Sequence, residues 1–324
     1  MISRRLFLSG VAGAGLVVGA PRVALSQSYP QHPVKIIVDR PAGVPHDLLA
    51  RAMAEKLSAS FKQTFIVDNR VGAGGNLAAE FVARSASDGY TLLVALDTTL
   101  TVNQTLYKNL TFSPLTDLRP LSIMAKNSTM LVVHPSIPVN SVAELVAYAN
   151  KNPIAYAHGG NGSPGHLGME YFRMQAGFPA TPVPYRGNAQ LVTDLVAGQI
   201  KLGFVGASFL FDHVRAGRLK GLAISAAKRS PLAPDVPTIA EVGYPEFKAE
   251  VYYVILAPGR IPKAAATLLE GEVRNALQAP DLQERFRPQD ITIVASSAAE
   301  AKVRIEADTK LWAKVVEATG MRAD

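Results

Sequence analysis

Cysteine is absent from the 324 residues, which excludes disulfides, thiolate metal sites, iron–sulfur clusters and cysteine nucleophiles. Tryptophan occurs once, and charged residues make up only 18% of the chain. No basic run is longer than a pair such as Lys228-Arg229, and neither an arginine-rich arm nor a zinc-finger spacing occurs. The formal charge of +7 therefore does not describe a nucleic-acid-binding surface. Internal repeats and low-complexity linkers are also missing. What remains is 48% hydrophobic with 25 glycines and 22 prolines, a balance foreign to disorder, collagen and coiled coil. At roughly 100–200 residues per domain, the length predicts about two domains, each able to bury a core.

The N-terminus stands apart. Ser3-Arg4-Arg5-Leu6-Phe7-Leu8 resembles the twin-arginine export consensus, with Ser9 where a lysine is common. The apolar stretch Val11–Ala20 is too short to span a bilayer as a stable helix, and Ala24-Leu25-Ser26 offers the small residues that a signal peptidase reads. The expectation is an export signal over residues 1–26, cut before Gln27; the alternative is an uncleaved anchor. Loss of Arg4, Arg5 and Arg22 with no acid takes the formal charge from +7 to +4. No later run approaches about 18 apolar residues, so the mature chain is expected to be soluble and outside the cytoplasmic membrane. A twin-arginine signal implies export after folding.

Short apolar strands alternate with helical patterns along the rest. Val34–Val38, Phe65–Val67 and Tyr90–Val94 read as strands, with helices from Asp47 and from Gly72 to Arg84. Ser141-Val142-Ala143-Glu144 reads as a capping box before a helix to Asn150. Strands follow at Ile154–Ala157, Val183–Tyr185, Leu202–Val205 and Leu222–Ile224, with helices His166–Ala176 and Ala189–Ala197 between them. Val251–Ala257 is strand-like, and Pro262–Gln278 and Ala298–Ala318 are amphipathic helices. This α/β grammar predicts parallel sheets covered by helices on both faces.

Four strand-to-helix turns carry glycine or small residues: Ala42–His46, Gly72–Asn76, Gly159–Gly165 and Gly187–Asn188. A helix start offers unpaired N–H groups and about half a positive charge, and glycine lets an anion come close. Glycine also simply permits tight turns. Four such turns, gathered at the carboxyl edge of open sheets, favour a ligand cleft. Gly160-Asn161-Gly162-Ser163-Pro164-Gly165 fits G-x-G-x-x-G, yet Pro182, Val183 and Pro184 stand where a dinucleotide fold needs an acid. Gly206-Ala207-Ser208-Phe209-Leu210 lacks the second glycine of a nucleophile elbow, and no H-E-x-x-H or phosphate-binding loop occurs. Enzyme chemistry and cofactors are accordingly not expected. His166 reads as a helix-start residue bonding a loop, or else as a metal ligand beside His158. Arg40 is either a bidentate carboxylate clamp or a surface arginine, His46 flanks the same turn, and Asp47 is most simply an N-cap.

These segments together resemble the Bug-type solute receptors of tripartite tricarboxylate transporters. The resemblance runs from Tyr29-Pro30 to Trp312. It rests on Pro33-Val34-Lys35-Ile36-Ile37-Val38, Val67-Asp68-Asn69-Arg70-Val71-Gly72-Ala73-Gly74-Gly75-Asn76 and Asp88-Gly89-Tyr90-Thr91-Leu92-Leu93. Gly160-Asn161-Gly162-Ser163 with His166-Leu167, then Val183-Pro184-Tyr185-Arg186-Gly187, Ala216–Ala223 and Pro234–Gly243, continue it. It implies a two-lobed type II periplasmic binding protein that closes on a small carboxylate and acts as a monomer with the large and small membrane subunits of a transporter. The turns matching Pro41–Asp47 and Tyr185–Ala189 would grip carboxylates through Ala42, Gly43 and Val44 on one side and Tyr185, Arg186, Gly187, Asn188 and Ala189 on the other. Gly162, Ser163 and His166 would form a third wall.

Three positions depart from the family pattern. Arg40 replaces an aromatic residue and Val44 a second glycine, and Val205 stands where an aspartate is frequent. Loss of that acid removes an ammonium partner, so the expected ligand is a carboxylate without an amino group. The expected division is 27–124 and 252–324 for lobe one and 125–251 for lobe two. Two other readings stay open: a co-receptor that delivers ligand to a two-component sensor, and an exported enzyme.

Overall fold

Along the first strand Val34, Ile36 and Val38 turn to one face of a sheet and Ile37 to the other, as the two-residue period of an extended chain requires. The computed structural model describes residues 29–323, and over them the chain builds two such sheets. The first takes β1 (Val34–Val38), β2 (Phe65–Asn69), β3 (Thr91–Leu96) and β4 (Leu118–Asn127). The second takes β5 (Thr129–Val133), β6 (Ala155–His158), β7 (Thr181–Pro184), β8 (Leu202–Gly206) and β9 (Lys220–Ile224). The chain then returns to the first sheet with β10 (Val251–Pro258) and β11 (Thr292–Ile293). The spatial orders are β11-β4-β10-β3-β1-β2 and β7-β6-β8-β5-β9.

In the first sheet α1 (Pro45–Phe61) follows β1, α2 (Asn76–Ala83) follows β2, and the short α3 (Asp97–Thr101) and α4 (Asn103–Leu106) follow β3. In the second, α5 (Val142–Ala149), α6 (Pro164–Ala176), α7 (Asn188–Val196) and α8 (Phe211–Arg215) follow β5, β6, β7 and β8. Helices α9 (Lys263–Leu277), α10 (Pro280–Phe286) and α11 (Ala298–Thr319) come after β10. Leu49, Met53 and Leu57 of α1 and Leu269 and Val273 of α9 fill one face of the first sheet, and Ala78, Ala79 and Val82 of α2 the other. Phe172 and Leu167 of α6 cover one face of the second sheet, and Leu191 and Leu195 of α7 its opposite face. The edge strand β7 carries Pro182 and Pro184, which an edge tolerates because its outer N–H groups need no ladder partner.

Both sheets are mixed, which corrects the expectation of parallel ones. β1 runs parallel to β2 and β3, and β6 to β7 and β8. β10 is antiparallel to β3 and β4, β11 to β4, and β5 to β8 and β9. The cause is the route of the chain: β4 leaves the first sheet for the second and β10 comes back from it, so the two lie head to tail. Apolar runs report burial, not direction. The Ser141 box is also only half as expected, for Ser141 Oγ accepts from the Glu144 N–H while the Glu144 carboxylate reaches back to the N–H of Asn140, not to that of Ser141.

Only Ser128 separates β4 from β5. Asp290, just before β11, accepts from Ser128 Oγ (2.5 Å) and from Ser230 Oγ (2.6 Å) in the returning segment, so one carboxylate ties both connections between the sheets. Lys126 and Glu250 pair at 2.7 Å across the same crossing. Helix α11 straddles the halves: Ala301 and Ile305 sit in the first core, Trp312, Val315 and Val316 in the second. Among the described residues no helix is long and apolar enough to cross a membrane.

Trp312 is buried and meets the Tyr171 ring edge-on at 5.9 Å. Trp312→Ala is expected to cost about 3–5 kcal/mol. Denaturant unfolding measures it, and a loss under about 1 kcal/mol would show that α11 does not join the two cores.

Candidate ligand cleft

Parallel strands deliver the following helices with their N-termini at the carboxyl edge of the sheet, where ligands of open α/β folds sit. Here the edges of both sheets face one cleft of about 570 Å³. Its first wall comes from residues 39–41, 44–46, 71, 72, 74 and 75 with Leu96, Thr98 and Asn103; the second comes from residues 159, 161–165 and 186–189 with Gly206 and Phe209. Asn127, Thr129, Val251 and Tyr253, at the crossing of the chain, close it behind.

The starts of α1, α2, α6 and α7 all line this space. Val44, Gly75 and Gly187 at the N-caps of α1, α2 and α7 supply no side-chain cap, whereas Ser163 Oγ caps α6 through the His166 N–H at 3.3 Å. Three helix ends thus present N–H groups without a side-chain partner, together with the positive end of the helix dipole. Gly187 sits at φ 110°, a conformation that side chains resist, and Gly75, at φ 99°, leaves room that a Cβ would take from Asp39, Arg40 and Thr99.

Two arginines stand on opposite walls. Arg186 is exposed and forms no ion pair among the described residues. Arg40 donates from Nη1 to the Asp39 carboxylate (3.2 Å) and to the Asp39 carbonyl (3.1 Å). Asp39 is fully buried and accepts also from His46 Nε2 (3.1 Å), Thr99 Oγ1 (2.7 Å) and the Leu96 N–H (3.2 Å). Burial pushes its carboxyl up, but the charge of Arg40 and the bonds from His46 and Thr99 outweigh that and hold it below the usual carboxylate range. His46 is buried with its ring stacked on Tyr253 at 5.3 Å. Asp39 was not among the residues read from the sequence; its one signal was a charge ending an apolar strand at the carboxyl edge.

Of the sequence candidates, Arg40, Val44, His46, Gly162, Ser163, Arg186, Gly187, Asn188 and Ala189 line the cleft. Ala42, Gly43, Asp47, His166, Tyr185 and Val205 lie outside its lining. Asp47 is not the N-cap. Pro45, which suits the first helical position, moves the start of α1 back, so Val44 is the cap and Asp47 sits in the first turn. The buried Asp47 carboxylate accepts from the Gly43 N–H (2.8 Å), Arg51 Nε (3.0 Å) and Asn69 Nδ2 (2.8 Å), which stiffens the loop and consumes the N–H of Gly43. Val205 is buried against Leu191 and Leu195 of α7, because the period of two turns it from the face of Phe204. The Tyr185 hydroxyl donates to Asp194 at 3.0 Å.

A second cavity, of about 480 Å³, lies between residues 114–120 and the start of α11. Arg119 on its wall is already paired with Glu270 at 2.9 Å. Among the described residues no three His, Asp or Glu groups are placed to hold a metal ion.

A family model described as "Tripartite tricarboxylate transporter family receptor" matches residues 49–321. The chain belongs to that family. Protein BugT of Bordetella pertussis is 33% identical over 324 residues, 99% of each chain. R. palustris Rpa4515, solved with adipate, superposes with a TM-score of 0.80 at 32% identity, covering 91% of this chain and 99% of that one. MatC (Rpa3494) from Rhodopseudomonas palustris, solved with bound malate, gives a TM-score of 0.77 at 26% identity over 89% and 100% of the two chains. Tripartite tricarboxylate receptors are two-lobed periplasmic solute-binding proteins, not enzymes, and the two sheets here are the two lobes.

In this receptor the loop of residues 159–165 on the second wall is held from behind by two histidines. The Gly162 N–H donates to His166 Nδ1 (3.2 Å), and His158 Nδ1 pairs with the Gly160 carbonyl (2.9 Å). Their rings stack at 3.9 Å. Burial, then His158 and Arg173, push His166 down from an ordinary 6.5 to about 3. An imidazole with the lower value in the folded state binds its proton better unfolded, so the receptor loses stability as pH falls from about 6.5 towards 3. Denaturant unfolding at pH 7 and pH 4 is expected to show this loss, and His166→Asn, which keeps an acceptor for Gly162, to reduce it. An unchanged difference between the two pH values would refute the assignment.

Proposed function

We propose that the receptor captures a small carboxylate without an amino group between its lobes, and that closure presents it to the large and small membrane subunits of a tripartite transporter. One observation carries this reading: four helix N-termini and two arginines converge on a cleft whose only lining carboxylate among the described residues, Asp39, is already saturated with donors. An ammonium group would find no free acid there, while an anion would find N–H groups and guanidinium. The adipate and malate held by Rpa4515 and MatC belong to the same chemical class. Sheet membership supports lobe borders near residues 127/128 and 250/251, with the end of α11 packed on the second lobe. The lobes then rotate about these two crossings. The receptor works as a monomer in the periplasm. Residues 1–26, read as a twin-arginine signal, lie outside the described residues.

Calorimetry and thermal shift on residues 27–324 test this against malate, adipate, citrate, benzoate and aspartate. A bound acid at about 100 times its Kd adds roughly 2.7 kcal/mol of stability. Arg186→Gln is expected to weaken binding about tenfold or more, as loss of a charge-assisted hydrogen bond does. Tight binding of aspartate with none of the simple acids would overturn the reading.

A further inference from the structure

Resting on that carboxylate reading, we infer that Asp39 is the residue that sets how many carboxylates a ligand can carry. It positions Arg40 and shares its charge, so that the cleft favours an acid with one carboxylate over its two-carboxylate counterpart.

The two arginines are not equivalent. Arg186 has no carboxylate partner among the described residues and stands beside the uncapped start of α7. A ligand carboxylate placed there meets a whole positive charge, free N–H groups and no anion. Arg40 lies on the opposite wall with its side chain 23% exposed, and its Nη1 is held twice by Asp39. A second ligand carboxylate that takes Arg40 competes with Asp39, and it then sits close to the buried charge of Asp39, which repels it.

Asp39 can bear that competition because Arg40 is only one of its four donors. His46, Thr99 and the Leu96 N–H stay in place when the guanidinium turns. The anchorage therefore fixes the negative charge at the wall whether or not Arg40 is occupied with ligand. Val44 and Leu96 on this wall face Phe209 across the cleft, and the uncapped starts of α1 and α2 stand beside them, with the Asp39 carboxylate against Gly75 at the start of α2. A second acid group on this wall therefore meets the charge of Asp39 both at Arg40 and at the start of α2.

The test is calorimetry of the mature receptor with two matched pairs, hexanoate with adipate and benzoate with terephthalate. The wild type is expected to prefer the monoacid of a pair. Asp39→Asn is expected to shift the ratio of affinities towards the diacid about tenfold, the size of a moderate change in local charge. Asp39→Glu, which keeps the charge, is expected to retain the wild-type ratio. In Asp39→Asn combined with Arg40→Gln, most of the shift is expected to vanish. A purely structural role for Asp39 would weaken both members of a pair together, so an unmoved ratio in folded Asp39→Asn overturns the inference. Should that variant fail to fold, Arg40→Gln decides: a larger loss for the diacid supports the inference, and equal losses overturn it. Binding of neither pair by the wild type would instead defeat the carboxylate reading on which it rests.

Discussion

A parallel strand that feeds a helix brings the helix's positive end to the carboxyl edge of its sheet, and this receptor does so from two sheets that face each other. Everything at the cleft follows from that arrangement. The starts of α1 and α2 on one side and of α6 and α7 on the other supply partial charge and N–H groups that side chains leave uncapped at three of the four ends. Buried donors without a partner cost free energy, so a fold that keeps them open at one place has a use for an anion there.

Two opposing demands meet at the crossing between the lobes. It has to be thin enough to bend and strong enough to keep the walls in register. The first demand is met by Ser128 alone between β4 and β5. The second is met by the Asp290 carboxylate on Ser128 and Ser230, by the Lys126–Glu250 pair, and by α11, which sinks Trp312 into the second core. Packing α11 there has a cost. Asp308 of this helix lies near Asp97 of α3, and burial together with that neighbouring charge pushes the Asp97 carboxyl well above its usual range. Arg304 offsets part of this through its bond to Asp308 at 2.6 Å.

Most strands and most helices were legible because each buries a face with the period its backbone imposes: Val34, Ile36 and Val38 against α1, or Leu191 and Leu195 of α7 against β8. Strand direction was not legible, since burial on two faces looks the same in either sense; β4, with Arg119, Pro120 and Lys126 inside it, was not even apparent as a strand. The glycine-bearing turns revealed the cleft for a local reason, that a close backbone approach needs positive φ or an absent Cβ. Single side chains were read less well. Asp47 looked like a cap until Pro45 took the first helical position, and Val205 looked like a wall residue although alternation along β8 sends it to the core. What side chains do at a site depends on partners distant in sequence, as Asp39 shows with Leu96 and Thr99.

Asp39 also explains how Arg40 is accommodated. Arg40 brings a full charge to the end of an apolar strand, where desolvation disfavours it unless a counter-charge is near. The counter-charge is the preceding residue, and because that residue is itself fully buried it needs donors of its own. They come from His46 in α1, Thr99 in α3 and the backbone at the end of β3. The ring of His46 is in turn steadied by Tyr253 of β10, the strand that returns from the other lobe. Holding this one half-buried arginine thus draws in four elements of the first lobe. The charge at this wall is therefore a property of the group, and its sign is set by the buried acid behind the arginine.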